Sequence, residues 1–128
     1  MKVVIKSYEK SNEEIKVEFS SKFGEGIASW QGVMPKEGIS YDVELEIPNV
    51  LKWGKDIHRI NSQLYSIQLL NNRVCFEGKL ESFSEEDGCC AIRLGDSIIL
   101  LETEGTPSEV QSFLRFETEN VIIYEDNI

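Results

Sequence analysis

The chain has 128 residues, 41% of them hydrophobic and 28% charged, a composition that fits one globular domain spanning 1–128 and leaves no need for disulfides or a structural metal in folding. Three cysteines without metal-ligand spacing imply reduced thiols in a cytoplasmic protein, and Met1-Lys2 leads straight into Val3-Val4-Ile5, too short for the apolar core of a signal peptide. The net charge of −10 is uneven, with nine Lys/Arg against ten Asp/Glu in residues 1–64 and four against thirteen in residues 65–128; such a field repels nucleic acid and anionic membrane and attracts cationic surfaces.

Taken in chain order, Val3 and Ile5 alternate weakly with their neighbours, and the cluster Glu9-Lys10-Ser11-Asn12-Glu13 reads as a turn. Ile15, Val17 and Phe19 then alternate with charged residues, so the first twenty residues predict a hairpin. Residues 20–38 are punctuated by Gly24, Gly26, Gly32, Pro35 and Gly38. Phe23, Ile27, Trp30 and Val33 fall near helical spacing, but the glycines argue for an irregular or bulged strand. Ile39 to Ile47 is the clearest element. Ile39, Tyr41, Val43, Leu45 and Ile47 alternate with Ser40, Asp42, Glu44 and Glu46, which sets an apolar row against an acidic one on opposite faces of a strand. Pro48 ends it. Val50, Trp53, Ile57, Ile60 and Leu64 fit a helical stripe with Asn49 as N-cap, yet Gly54 weakens a helix by about 1 kcal/mol. At most a short helix or turn at 49–54 is expected, followed by extended chain.

From residue 64 the pattern is a meander. Leu64 to Leu70 and Arg73 to Phe83 flank Asn71-Asn72, a pair that tolerates positive φ, with Gly78 a candidate bulge. Ser84-Glu85-Glu86-Asp87-Gly88 turns the chain into Cys89 to Leu94, and Gly95-Asp96 turns it into Ser97 to Glu102. Thr106-Pro107-Ser108-Glu109 carries a helix-start signature, which predicts one or two helical turns from Pro107 to about Ser112. Leu114 to Phe116 resumes extended structure, and Val121 to Tyr124 is the last strand.

Little in the chain points to catalysis. His58 is the only histidine and sits among apolar residues; no nucleophile elbow, Walker loop or dinucleotide fingerprint occurs. Cys75, Cys89 and Cys90 lack a nucleophile context, and one His without C-x-x-C leaves zinc without ligands. The vicinal Cys89-Cys90 pair projects onto opposite strand faces, one sulfur buried and one more exposed. Asp42, Glu44 and Glu46 stand about 7 Å apart along a strand, too open to wrap a calcium ion without other segments. The strands around Phe76 and Phe83 are not basic, which opposes binding of single-stranded nucleic acid. The expectation is therefore a non-enzymatic protein with no catalytic residue, metal or cofactor. Its candidate partner-binding residues are Asp42, Glu44, Glu46, Glu85, Glu86 and Asp87, and the partner is a basic protein, neither nucleic acid nor membrane.

The elements predict an all-β, mainly antiparallel fold with one or two short helices, either a small barrel or a twisted β-sandwich. The glycine-turned meander, Thr106-Pro107-Ser108-Glu109 and the closing Val121-Ile122-Ile123-Tyr124-Glu125 look like a small OB-like barrel. In size, acidity and cysteine-poor cytoplasmic character the chain also resembles bacterial immunity proteins, which neutralise the nuclease toxins of contact-dependent inhibition or polymorphic toxin systems. That resemblance implies an inhibitor of a toxin nuclease domain and carries no residue roles. Two other readings stay open: a self-associating structural or regulatory domain of a larger assembly, and a small-ligand-binding barrel with an apolar pocket near Trp30 or Trp53.

Overall fold

A computed structural model describes residues 1–107 and 112–126. Twelve strands account for its regular structure: β1 (Lys2–Ser11), β2 (Glu14–Ser21), β3 (Gly24–Gln31), β4 (Ser40–Glu46), β5 (Leu51–Lys52), β6 (Ile57–Arg59), β7 (Ser66–Leu70), β8 (Arg73–Phe83), β9 (Cys89–Leu94), β10 (Ser97–Glu104), β11 (Phe113–Thr118) and β12 (Ile122–Glu125). The all-β expectation holds. No helix occurs among the described residues, so none is long and apolar enough to cross a membrane.

Five strands close into a barrel. β1 pairs antiparallel with β2 and with β4, β2 with β3, and β4 with β12, while β3 and β12 pair in parallel to complete the ring. Alternation fills the interior: Val3, Ile5, Val17, Phe19, Trp30, Val43, Leu45 and Ile123 are all buried. A register shift between Ile5 and Ser7 bends β1, the device that lets a strand curve around a small barrel. Gly26 stands opposite Phe19, and a Cβ there would lie 2.8 Å from the Phe19 ring. Glycine gives the ring its space.

The chain between β4 and β12 builds a second unit on the same core. β8 is its spine, pairing antiparallel with β7, β9 and β11, and β9 continues into β10. Phe76 and Phe116 stack at 4.9 Å among Leu80, Ile92, Ile99, Leu101 and Leu114, all buried. The two units join in one ladder where Gly24 of β3 meets Ile67 of β7, reinforced by the Ile67 N–H donating to the Phe23 carbonyl at 2.9 Å.

Several elements depart from the sequence reading. Residues 24–31 form an unbroken strand in residue-for-residue register with β2, not an irregular or bulged one, because Gly24 and Gly26 serve close approaches in place of a bend. Val33 is 82% exposed while Trp30 is buried, which removes the helical face. Of the short helix or turn allowed at 49–54, no helix forms; the chain makes a two-residue strand and a turn at 54–56 before extending again. Leu51 and Lys52 pair with Thr103 and Glu104, and Asp56 closes a turn by accepting the Lys52 N–H at 2.9 Å. The helix expected from Pro107 to Ser112 falls largely on residues 108–111, outside the described residues. Gly78 is not a bulge, since the register shift in β8 lies between Leu80 and Ser82; a Cβ at Gly78 would stand 2.5 Å from the Arg93 carbonyl oxygen. Ile39 is exposed at 47%, as β4 begins after it. The closed ring, finally, is made from the first four strands and the last, and the meander lies outside it.

Gly24 is the most demanding position. Its φ of +134° disfavours any side chain, and a Cβ would fall 1.8 Å from the Ile67 carbonyl oxygen, where the neighbour is backbone and cannot turn aside. Gly24→Ala should lower unfolding free energy by about 2–4 kcal/mol, read as a shift in urea midpoint. A midpoint unchanged from wild type would mean that the two units do not depend on this junction.

Candidate functional site

The alternation of β4 has the expected consequence. Val43, Leu45 and Ile47 enter the core while Asp42, Glu44 and Glu46 are exposed. The three carboxylates then part company. Asp42 borders a shallow depression with Lys2 and Lys22, and its carbonyl accepts the Asp126 N–H at 2.8 Å. Glu44 and Glu46 face β10, which lies beside β4 without pairing to it.

Between β4 and β10 runs an open groove of about 790 Å³. Its acidic wall is Glu44, Glu46, Asp96, Glu102 and Asp126, and no Lys or Arg lines it. Ile98, Leu100 and Tyr124 supply apolar surface, exposed at 44%, 61% and 41%. Glu46 hydrogen-bonds the Tyr124 hydroxyl and raises that phenol above its ordinary pKa. Three arginines of the second unit are engaged elsewhere: Arg93 with Glu81, Arg115 with Glu77 at 3.2 Å, and Arg73 with Glu117 and Glu119 at 3.6 Å. Among the described residues none of the five groove carboxylates belongs to an ion pair. The groove therefore concentrates five carboxylates beside apolar side chains, against one cation in its lining, the Met1 ammonium, which donates to the Val43 carbonyl at 3.0 Å.

Glu85, Glu86 and Asp87 are exposed in the turn between β8 and β9 and do not line this groove. Asp87 serves the turn itself, its carboxylate accepting the Cys89 N–H at 2.9 Å, a local bond of the Asx-turn kind. Thus two of the six anticipated residues, Glu44 and Glu46, come together at one site. Asp96, Ile98, Leu100, Glu102, Tyr124 and Asp126 were not singled out by sequence. One signal was present for β10: in Ser-Ile-Ile-Leu-Leu both alternating sets are apolar, so a strand with only one buried face must expose one of them, which in the structure is Ile98 and Leu100.

His58 is exposed, and its Nε2 donates to the Lys55 carbonyl oxygen at 3.0 Å. Among the described residues no three of His, Cys, Asp and Glu converge as metal ligands. A depression of about 290 Å³ lies beside Trp53; the Trp53 indole N–H donates to the Thr103 hydroxyl at 2.9 Å, which in turn donates to the Gly88 carbonyl at 2.7 Å. Trp30 is buried with its indole N–H on the Val33 carbonyl. No protein-family model matches the chain, and neither curated proteins nor solved structures give a match.

All three cysteines are free. The vicinal pair divides as its alternation requires: Cys90 is fully buried against Thr103, while Cys89 is partly exposed at the groove wall. Burial pushes the Cys75 and Cys90 thiols up from their ordinary values. Both stay neutral in the fold, so their contribution to stability is complete below the pKa of a free thiol, about 8.5, and is lost as pH rises above it. Ellman's reagent at pH 8 should therefore modify Cys89 rapidly, and Cys75 and Cys90 only on unfolding. A fast phase that survives Cys89→Ser would contradict this placement.

Proposed function

We propose that this protein is a non-enzymatic binding module, working in the cytoplasm without a cofactor, that neutralises a basic protein partner through the β4–β10 groove. The observation that carries the reading is the pairing of five unpaired carboxylates with exposed Ile98, Leu100 and Tyr124 on one open surface. Carboxylates without counter-ions steer a cationic partner and repel nucleic acid and anionic lipid, while apolar side chains supply contact area once it has arrived. A bacterial immunity protein that blocks a toxin nuclease fits this description, because a nuclease domain presents a basic cleft to its own substrate. The strand order of the barrel, β1-β2-β3-β12-β4, supports an OB-like assignment, a five-stranded Greek-key barrel. In this chain the acidic surface suits protein in place of an oligonucleotide.

The ligand-binding reading gains nothing from the barrel interior, which Val3, Ile5, Val17, Phe19, Trp30, Val43, Leu45 and Ile123 occupy. Self-association through this groove would bring the carboxylates of two copies together.

Stopped-flow titration against the product of the adjacent gene tests the proposal. Association should be fast at low salt and fall by about tenfold or more as ionic strength approaches 1 M, where the Debye length shrinks to about 3 Å. No binding, or a rate indifferent to salt, would count against it.

A further inference from the structure

β10 has one edge on β9 and another that is open over most of its length. Because Gly95-Asp96 forms a two-residue turn, Leu94 and Ser97 are the first opposed pair of the hairpin. In an antiparallel ladder this places the N–H and C=O groups of Ser97, Ile99 and Leu101 toward β9, and those of Ile98, Leu100 and Glu102 away from it. Thr103 continues the inner row by donating to the Gly88 carbonyl at 2.9 Å. β5 covers the outer edge only at its end, where Leu51 and Lys52 lie opposite Thr103 and Glu104 and the Trp53 N–H reaches the Glu104 carbonyl at 3.0 Å. From Ile98 to the Glu102 N–H the outward backbone groups have no partner among the described residues, the Glu102 carbonyl being engaged by β5 through the parallel pairing of Leu51 with Thr103, and they border the acidic groove.

An open edge of this kind is a template for another strand, and proteins ordinarily cover or blunt it. Here its exposed side chains are Ile98 and Leu100, which offer cross-strand contacts to an incoming segment, and its surroundings are Glu44, Glu46, Asp96 and Glu102. A second copy of this chain is a poor occupant, since edge-to-edge pairing would add its carboxylates to the same unneutralised set. An extended segment in which Lys or Arg alternates with apolar residues satisfies all three features: backbone pairing for the edge, apolar contacts for Ile98 and Leu100, and positive charge for the wall.

We infer that the outer edge of β10, from Ile98 to Glu102, receives an extended basic segment of the partner protein as an added strand. The inference rests on the basic-partner reading above and fixes the mode of contact.

The test uses the isotope-labelled full chain and three ten-residue peptides: alternating Lys and Val, the same peptide N-methylated at every residue so that neither edge can donate, and alternating Glu and Val. Amide hydrogen exchange at Ile98, Leu100 and Glu102 should slow by about tenfold or more with the Lys peptide and stay unchanged with the other two. Leu100→Pro removes an outward N–H at a position where an edge strand tolerates proline, so it should abolish protection at Ile98 and Glu102; circular dichroism establishes that the variant is folded. Should that variant fail to fold, the N-methylated peptide carries the test alone. Equal protection by the N-methylated peptide, or no protection by the Lys peptide, overturns the inference. Concentration-dependent protection without peptide also overturns it, in favour of a second copy. Salt-dependent binding of the adjacent gene's product with these amides unprotected overturns strand addition while leaving the basic-partner reading intact; absence of that binding removes the partner reading.

Discussion

The parallel pairing of β12 with β3 is the constraint on which the rest of the structure depends. Without it β1 to β4 form a curled sheet with two open edges, and Trp30, Leu45 and Ile123 lose the enclosure that buries them. Because the closing strand lies near the far end of the chain, everything between β4 and β12 must leave the barrel and return to it. The second unit is that excursion. Its placement is then restricted from two sides: Gly24 fixes β7 to β3, and Pro48 directs the chain out of β4 toward β5 at the end of β10. The β4–β10 groove exists because both conditions bring two strands side by side that are not partners in any ladder.

That origin explains why the carboxylates of the groove lack ion-pair partners among the described residues. Neighbouring strands of one sheet can set opposite charges across from each other, as Arg115 and Glu77 do here, or diagonally, as Arg93 and Glu81 do. β4 and β10 have no such register to satisfy. Their carboxylates point into solvent from two separate sheet regions and meet only through the closure of the barrel. The acidic bias of residues 65–128 is therefore only half of the site; Glu44 and Glu46 come from the half of the chain that is nearly neutral.

The parts of this account that depend on local periodicity were legible in the residues. The alternation through Val43, Leu45 and Ile47 identified β4 and its inner face, and Asn71-Asn72, both at positive φ, identified the β7–β8 turn. What was not legible depends on contacts between segments far apart in the chain. Glycines at 24 and 26 look like breaks in a strand, yet they are fitted to the Ile67 backbone and the Phe19 ring. Trp53 and Ile57 have helical spacing, but β5 takes its conformation from Thr103 and Glu104. Glu85, Glu86 and Asp87 are the densest acidic run in the sequence, and the fold leaves them on a turn away from the groove, whereas Asp96 and Asp126 gain importance only from where the chain places them.

Under the proposed function the groove, and not acidity in general, selects the partner. Association rates of the adjacent gene's product with two charge-reversed variants test it most directly: Glu44→Lys with Glu46→Lys, and Glu85→Lys with Glu86→Lys, which change net charge equally. The groove pair should slow association by about tenfold or more and flatten its salt dependence, while the turn pair changes it by less than about threefold. Equal slowing by both pairs, or a larger effect from Glu85 and Glu86, would contradict the account.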